Sequence, residues 1–484
     1  MARLRRDRPA LVFLALIALG LLLLAGVLLA VFLPGGKHAA PAPTSTTVSV
    51  ATTTAPPATT AAPPATTAAP PPTTAAPATT AAPGPLSAVS VGPLAATVAW
   101  SGPNAPARVA YGLPDLGPTM WAPLEGGQAT LTGLRFSTAY RVWAGDATLD
   151  LTTAGPPDSP VAATGGGAIL LDGQPYFPLL VLAQCPSGYE ASLAAGITLF
   201  AENACGGIAE QTAALAGRAL SLTSADEAGI GGPGVIGWYY PDEPDAKEIT
   251  GDTLPQFPTQ AATGRLSFLT LSNHFYSRTQ ALPAGRGVYP GLIARADVVG
   301  FDLYPLQEFC STDWLPDVAS AQRELVALAG GKPTFQWIES STWHCHAPSL
   351  RVTPATIRAE SWLAVAGGAR GLGYFPADWP AESTPGISTV AREVAALGAG
   401  LLAPDAPASA EAPVVAAARA ASGALYVIAV NPARRTVRAA IDAPGLAGRS
   451  VSVLGEGRTV AAEGDRLEDT FAPLAAHLYV AAPR

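Results

Sequence analysis

The chain has 484 residues, with 28 Lys and Arg against 36 Asp and Glu, which gives a formal net charge of −8. That length corresponds to roughly three domains. Only 13% of the residues are charged, and the chain has a positive mean hydropathy. One apolar segment and many small residues account for that positive mean. An acidic chain without a basic stripe excludes nucleic acid as a partner, and a single apolar segment excludes a polytopic membrane protein.

The N-terminal residues predict a membrane anchor. Four arginines in the first eight residues precede an uncharged run, whose apolar part extends from about Leu11 to Leu33. At 1.5 Å per residue this part reaches the ~30 Å thickness of the hydrocarbon. A cleavable signal peptide, with an apolar region of only ~7–15 residues, is the alternative. Because arginines favour the cytoplasmic side, residues 1–36 are predicted to be a cytoplasmic tip and a single-pass transmembrane anchor at the cell membrane, with the remainder extracellular.

The next segment, residues 37–85, predicts a disordered stalk. It consists almost only of Ala, Pro and Thr, which cannot bury a core. Proline-rich chains favour extended polyproline II conformations, so the segment would act as a spacer. Its composition suits O-glycosylation, and an unmodified spacer is the alternative.

Residues 86–155 alternate between apolar and polar positions in short runs separated by turns, which predicts a β-sandwich. Trp100 lies on an early strand, and the stretch LTGLRFSTAYRV (131–142) places Leu134 and Tyr140 at the spacing of a tyrosine corner. In these features the segment resembles fibronectin type III domains. The resemblance implies a spacer or a binding platform without chemistry of its own.

The central segment, residues 165–402, predicts an α/β fold, a (β/α)₈ TIM barrel flanked by the two sandwiches. Its apolar runs do not alternate, which is typical of parallel strands that are buried on both faces. Eight runs qualify: 177–184, 197–203, 219–224, 235–243, 266–273, 298–305, 334–340 and 371–378. The link from the third to the fourth run is too short for a full helix, so one helix is predicted to be degenerate.

Chemistry in this architecture occurs where the strands end, at the C-terminal rim of the barrel. The strand ends carry carboxylates, amides and aromatic rings, which suit sugar hydroxyls and the flat faces of pyranose rings. The predicted substrate-binding residues are Asp242, Asn203, Trp238, His274, Asp302, Tyr304, Trp337, Trp343, Asp378 and Trp379. The sequence therefore predicts an oligo- or polysaccharide as the partner at this rim.

Two local sequences, GWYYPDEPD (237–245) and TFQWIES (334–340), resemble the retaining (β/α)₈-barrel glycoside hydrolases of the large clan. The resemblance implies that Glu243, ending strand 4, is the general acid/base and that Glu339, ending strand 7, is the nucleophile. It also implies that no metal or organic cofactor takes part. The clan commonly has Asn before the acid/base, whereas this chain has Asp242. Adjacent carboxylates raise one pKa, which suits a general acid or signals a changed function.

Other interpretations of these residues remain open. Glu243 also fits a helix start, and Glu339 fits a partner for neighbouring hydroxyls. The pair His344 and His346 lacks further ligands for a metal, and a two-metal phosphatase would need more than the five His present. The favoured hypothesis is an extracellular, membrane-anchored retaining glycoside hydrolase. The alternative is a catalytically inactive glycan-binding barrel at the cell surface.

Four cysteines follow predicted barrel strands. Cys185 and Cys205 follow strands 1 and 2, whereas Cys310 and Cys345 follow strands 6 and 7. Adjacent strands lie ~4.8 Å apart, so loops on neighbouring strands start within the Cα range of a disulfide. The prediction is therefore Cys185–Cys205 and Cys310–Cys345, with four buried thiols as the alternative. After the barrel, residues 410–484 alternate again and predict a C-terminal β-sandwich that braces it.

Overall fold

The computed structural model describes residues 84–484, except residues 228, 230, 377 and 378. The predicted anchor and stalk therefore lie outside the described residues, as does Asp378. Among the helices that are described, none has the length and hydropathy needed to cross a bilayer. All described residues belong to one compact unit.

The first part of this unit is a sandwich of two antiparallel sheets. Its strands are β1 (Leu86–Val91), β2 (Ala96–Trp100), β3 (Arg108–Gly112), β4 (Met120–Pro123), β5 (Gln128–Leu131), β6 (Ala139–Ala144) and β7 (Ala147–Thr152). They form the sheets β1-β2-β5 and β4-β3-β6-β7. The hydroxyl of Tyr140 is buried and accepts the backbone N–H of Arg135 at 3.1 Å, which is the contact of a tyrosine corner. The predicted sandwich is confirmed, whereas membership of the fibronectin type III family stays a prediction.

A small antiparallel sheet that the sequence analysis did not predict follows the sandwich. It consists of β8 (Ala162–Gly165), β9 (Ala168–Leu171) and β10 (Gln174–Tyr176). Tyr176 donates its hydroxyl to Oγ1 of Thr198 at 2.7 Å, just before a barrel strand begins. Ile169 and Leu171 pack with the residues inside the barrel. The sheet thus covers the end of the barrel opposite the predicted active site.

The barrel contains eight parallel strands in a closed ring, in chain order. These are β11 (Leu179–Gln184), β12 (Leu199–Asn203), β13 (Leu220–Ser224), β14 (Val235–Tyr239), β15 (Leu266–Leu271), β16 (Val298–Asp302), β17 (Thr334–Glu339) and β18 (Leu372–Phe375). All eight predicted strands are confirmed. Phe268, Phe335 and Trp337 fill the interior, whereas Phe301 and Ile338 point to the surrounding helices. Burial on both faces explains why these runs do not alternate.

The helices are α1 (Pro186–Ala195), α2 (Ile208–Leu215), α3 (Gln260–Thr263), α4 (Tyr289–Arg295), α5 (Leu315–Ala329), α6 (Pro354–Ala366) and α7 (Ser383–Leu401). Four short 3₁₀ turns cover Asn273–Phe275, Arg286–Val288, Thr312–Trp314 and Pro348–Leu350. The described residues between β13 and β14 contain no helix, as the short link predicts, and α3 is a single turn.

The C-terminal part is a second sandwich of antiparallel sheets. Its strands are β19 (Asp405–Ala406), β20 (Ser409–Ala410), β21 (Val415–Ala421), β22 (Ala424–Val430), β23 (Val437–Asp442), β24 (Val451–Val453), β25 (Arg458–Val460), β26 (Ala462–Glu463), β27 (Arg466–Phe471) and β28 (Ala476–Ala481). The sheets have the orders β19-β21-β22-β28-β24-β25 and β20-β23-β27-β26. The predicted C-terminal sandwich is confirmed.

Both sandwiches are fixed to the barrel through the last helix. The half-buried guanidinium of Arg135 donates to the carbonyl of Ala391 in α7 at 2.8 Å and to that of Gly196, after α1, at 2.6 Å. Thr119 donates to the carbonyl of Ala396, and its own carbonyl accepts the hydroxyl of Tyr426 from β22 at 3.0 Å. The N-terminal sandwich is therefore an integral part of the folded unit.

Candidate active site

Four carboxylates meet at the C-terminal mouth of the barrel. Glu202 is the next-to-last residue of β12, Asp242 and Glu243 follow β14, and Asp302 ends β16. All four side chains are half-buried. The charge of Asp242 acts on Glu202, and the charges of Glu243 and Asp242 act on Asp302. Parallel strands end at the same edge of the barrel, so residues far apart in sequence are brought into one site.

Two of these carboxylates sit on unusual backbone. Glu202 has φ +56° and Glu243 has φ +43°, in the left-handed region that residues with a Cβ seldom adopt. Such conformations cost of order 1 kcal/mol or more and occur preferentially at functional sites. The backbone at both strand ends is thus bent where the carboxylates are presented.

The carboxyl groups of Glu243 and Asp302 lie within hydrogen-bonding reach of each other. Burial, followed by the charge of Glu243, raises the pKa of Asp302 well above its usual range. Two carboxyl groups can share a hydrogen bond only if one of them carries a proton. The pair therefore supplies one proton donor and one carboxylate side by side.

The other two carboxylates are also shifted toward the protonated form. Burial, together with the charge of Asp242, raises the pKa of Glu202 to about 7. The pKa of Asp242 is raised by burial and then by the charge of Glu243. Lys247 moderates both shifts. The mouth thus contains acids that hold protons near neutral pH, as general acid catalysis requires.

A hydrogen-bonded polar floor lies beneath these carboxylates. Trp337 donates from Nε1 to Oγ1 of Thr270 at 2.8 Å, and the hydroxyl of Tyr239 contacts the same oxygen at 2.6 Å. The Tyr239 hydroxyl also lies 3.3 Å from Oδ1 of Asp242. The interior residues therefore orient Asp242 from below. Trp337, predicted to contact substrate, is only 1% exposed and supports the site instead.

An aromatic wall borders one side of the mouth. Tyr304 makes an edge contact with Trp343, at 5.2 Å between ring centroids and 88° between planes. Phe375 at the end of β18 stacks on Tyr304 at 6.0 Å and meets Trp343 at 5.5 Å. The charge of Asp302 acts on the Tyr304 hydroxyl and, after burial, is the main reason for its raised pKa. The aromatic residues predicted on strands 6 and 7 therefore flank the carboxylates.

Glu339, the predicted nucleophile, occupies a different environment. Its side chain is 0% exposed, and its two oxygens accept the backbone N–H groups of Leu306 and Gln307, each at 2.8 Å. It also hydrogen-bonds Glu360 of α6, which is equally buried. Burial raises the pKa of both acids, that of Glu339 to about 8. Because its side chain has no exposed surface and both oxygens are occupied, Glu339 is not accessible from the mouth, so the geometry favours a supporting role for it.

The loop held by Glu339 in turn fixes the aromatic wall. Oε1 of Gln307 accepts the backbone N–H groups of Trp343 and His344 at 2.8 Å each and that of Cys345 at 3.2 Å. Nε2 of Gln307 donates to the carbonyl of Leu350 at 2.8 Å. The side chain of Gln307 is fully buried. Glu339 and Gln307 thus connect the end of β17 to the position of Trp343.

Both predicted disulfides are confirmed. Cys185 and Cys205 join the loops after β11 and β12, with Cα atoms 4.9 Å apart. Cys310 and Cys345 join those after β16 and β17, at 5.7 Å. A ring nitrogen of His344 lies within 4.8 Å of the Cys310 and Cys345 sulfurs. Because those sulfurs are bonded to each other, this trio does not form a metal site.

Four of the predicted substrate-binding residues are turned to local partners. Trp238 lies on the opposite strand face from Tyr239 and stacks on Phe257 at 5.2 Å. The amide nitrogen of Asn203 donates to the carbonyl of Gly206, and Nδ1 of His274 lies 2.7 Å from the carbonyl of Gln280. Trp379 donates to Oγ1 of Thr384 at 2.8 Å. None of these contacts brings the side chain into the carboxylate cluster.

Sequence reasoning placed Glu202 among the strand-end residues of the rim without giving it a role, and it missed Tyr239 and Phe375 as members of the site. The signal for Glu202 was a carboxylate near the end of a strand. Tyr239 lies within the strand-4 motif, before the residues of the rim. Only the inward direction of its side chain shows that it belongs to the polar floor beneath the carboxylates.

No family profile and no curated protein matches the chain. Among solved structures, the fold is similar to a GH30 endoxylanase from Clostridium papyrosolvens C71, at 12% identity over 63% of this chain and 96% of that chain, with a TM-score of 0.40. An Anoxybacillus alpha-amylase has 9% identity over 62% and 89%, with a TM-score of 0.36. A beta-glucuronidase from Ruminococcus gnavus has 12% identity over 60% of each chain, with a TM-score of 0.33. These structural neighbours are glycoside hydrolases, and the likeness concerns the fold alone.

Proposed function

We propose that the protein is a glycoside hydrolase whose active site is the carboxylate cluster at the mouth of the barrel. The observation that carries the proposal is the close approach of the Glu243 and Asp302 carboxyl groups at the mouth, flanked by Glu202 and by the Tyr304 and Trp343 wall. Glycosidic cleavage needs one protonated and one ionised carboxyl group on either side of the scissile bond. An aromatic wall supplies the flat surface on which a sugar ring stacks.

The mechanism follows from the shared proton. The protonated member of the pair protonates the leaving oxygen, while the ionised member attacks the anomeric carbon to give a covalent glycosyl-enzyme. Water activated by the first group then releases the sugar. Retaining enzymes hold the two carboxyl groups ~5–5.5 Å apart and inverting ones ~6.5–9.5 Å. Glu243 and Asp302 must therefore separate to admit the glycosidic bond, and the retaining separation requires the smaller movement. We therefore assign a retaining mechanism to Glu243 and Asp302, with Glu339 as a positioning residue.

The substrate is proposed to be a glycan that lies outside the cell. The apolar N-terminal run and its preceding arginines support a single-pass anchor, and two disulfides suit an exported protein. External protease should release the folded part of the chain from intact cells, leaving the N-terminal run in the membrane fraction. A secreted product that begins after residue 36 would instead identify a cleaved signal peptide.

The experiment for the activity is a screen of the purified protein against aryl glycosides and polysaccharides. Glu243→Gln and Asp302→Asn should each lower turnover by ~10³-fold or more, because each removes a group that acts in the transition state. Glu248→Gln is a matched control, because Glu248 is exposed and lies only five positions from Glu243. With an activated aryl glycoside, azide can rescue either variant, and the anomeric configuration of the glycosyl azide identifies the roles: inversion marks the variant that lacks the nucleophile, and retention marks the variant that lacks the acid/base.

The alternative is a glycan-binding protein without catalysis, which the sequestered position of Glu339 favours. Saturable glycan binding without turnover, unchanged by Glu243→Gln and Asp302→Asn, would select it. Turnover that is the same in both variants as in the unaltered protein would contradict the proposed catalytic pair.

A further inference from the structure

A cavity opens at the same end of the barrel, beside Trp343 of the aromatic wall. It has a volume of about 480 Å³, and its walls come from the loop after β17, the start of α6 and the residues before α7. The residues that matter are Ser340, Ser341, Thr342, Trp343, Arg351 and Glu382. Small-molecule sites commonly have volumes of ~300–1,000 Å³.

The walls of this cavity carry polar groups without partners. Ser341 is 5% exposed and Ser340 is fully buried, and neither hydroxyl oxygen has a hydrogen-bond partner among the described residues. Buried hydroxyl groups are nearly always satisfied in folded proteins, so two neighbouring exceptions at one cavity point to a ligand or ordered water. The side chains of Arg351 and Glu382 are exposed, and neither takes part in an ion pair among the described residues.

The composition of the cavity favours a neutral, polyhydroxylated ligand. One guanidinium is balanced by one carboxylate, so the cavity has no excess charge to attract a phosphate or a nucleic acid. Hydroxyl, guanidinium and carboxylate groups together offer donors and acceptors to sugar hydroxyls. Trp343 adds an aromatic surface at the edge of the cavity.

Trp343 also connects this cavity with the mouth. The same indole that borders the cavity contacts Tyr304 and Phe375 of the aromatic wall. The backbone at Trp343 is held by Gln307, and the Cys310–Cys345 disulfide fixes the loop two residues further on. The path from the carboxylates to the cavity is therefore built on restrained loops, which lowers the ordering cost of binding.

We infer that this cavity is a further sugar subsite, and that the substrate is an oligosaccharide or polysaccharide chain extending from the carboxylate cluster across Trp343. The inference rests on the proposed function, because it deepens the substrate class of the same site. A chain bound in both places contacts groups that a single glycoside cannot reach.

The test measures affinity against chain length by titration calorimetry. The probes are ladders from disaccharide to hexasaccharide of the cello-, xylo-, manno- and chito- series, added to the full-length Glu243→Gln protein so that no probe is consumed. Affinity for at least one series should rise with length, and Arg351→Ala in that background should reduce the hexasaccharide-to-disaccharide affinity ratio by ~10-fold. Glu382→Gln is an independent second variant. Arg438→Ala is the matched control, because Arg438 is 75% exposed on the C-terminal sandwich.

The outcomes separate this inference from the proposed function. Affinity that does not rise with chain length, or a ratio that Arg351→Ala and Glu382→Gln leave unchanged, overturns the subsite even when the unaltered protein hydrolyses glycosides. Absence of both turnover and binding for all ladders in the unaltered protein overturns the proposed function and the subsite together.

Discussion

Replacing Glu339 by Ala decides between two roles for this residue, the catalytic one implied by the strand-7 motif and the supporting one favoured by the structure. The substitution removes the acceptor of two buried backbone N–H groups, those of Leu306 and Gln307. Each lost hydrogen bond in such a setting costs ~1–3 kcal/mol, and removal of a buried acid from the side of Glu360 offsets part of that. The expected net loss of stability is about 2–4 kcal/mol.

A thermal unfolding experiment measures this loss directly. For a unit of ~400 residues, with an unfolding entropy of about 2 cal/mol/K per residue, 2–4 kcal/mol corresponds to a decrease of roughly 2–5 °C in the unfolding midpoint. KM should rise as the wall around Trp343 loosens, and kcat should fall less than in Glu243→Gln. Glu463→Ala, at an exposed position in β26, controls for the loss of one acidic side chain.

The supporting role would be refuted by the opposite combination of results. If the midpoint of Glu339→Ala stays within ~1 °C of the unaltered protein while turnover falls by more than ~10⁴-fold and azide restores it with formation of a glycosyl azide of inverted configuration, Glu339 is the nucleophile. The assignment of Asp302 to the catalytic pair would then be wrong as well.

Three further changes test other parts of the structure. The pKa values of Glu339 and Glu360 are raised in the folded state, so the folded protein binds more protons than the unfolded chain. The free energy of unfolding should therefore fall as pH rises from ~4.5 to about 8. Glu360→Gln should flatten this decline in thermal scans. If Glu202, with a pKa of about 7, contributes a proton to catalysis, turnover should decline as pH rises through 7, and Glu202→Gln should remove that limb of the pH–rate profile. Arg135→Ala should lower the free energy of unfolding by ~2–4 kcal/mol, and with it the unfolding midpoint, because two buried carbonyls lose a charged donor. An unchanged midpoint would show that the N-terminal sandwich does not stabilise the barrel.

The barrel could be predicted from the sequence because its strands are buried on both faces and therefore appear as continuous apolar runs. The disulfide pairs followed from the same strand order, since neighbouring strands bring Cys185 to Cys205 and Cys310 to Cys345. The small sheet β8–β10 was missed, because strands of three or four residues give too short a pattern.

The site was only partly predictable, because strand-end position does not fix side-chain direction. Asp302 and Glu339 are each the last residue of a barrel strand. Asp302 nevertheless lies next to Glu243, whereas Glu339 accepts backbone N–H groups from the loop that precedes its own strand. Trp238 likewise lies in the strand-4 motif but faces away from the mouth. These directions depend on local twist and on the loops packed above each strand, which have no periodic signature in the sequence.

The junction of Thr119, Tyr426 and helix α7 has a consequence for how this architecture can be recombined. The N-terminal sandwich donates a hydrogen bond to a carbonyl of α7, and the C-terminal sandwich donates one to a carbonyl of the N-terminal sandwich. Exchange of either sandwich for an unrelated module would therefore leave buried carbonyl groups without donors. Relatives of this protein are therefore expected to inherit the three parts together, and expression of the barrel alone, from residue 165 to residue 402, should give an aggregation-prone product rather than a minimal enzyme.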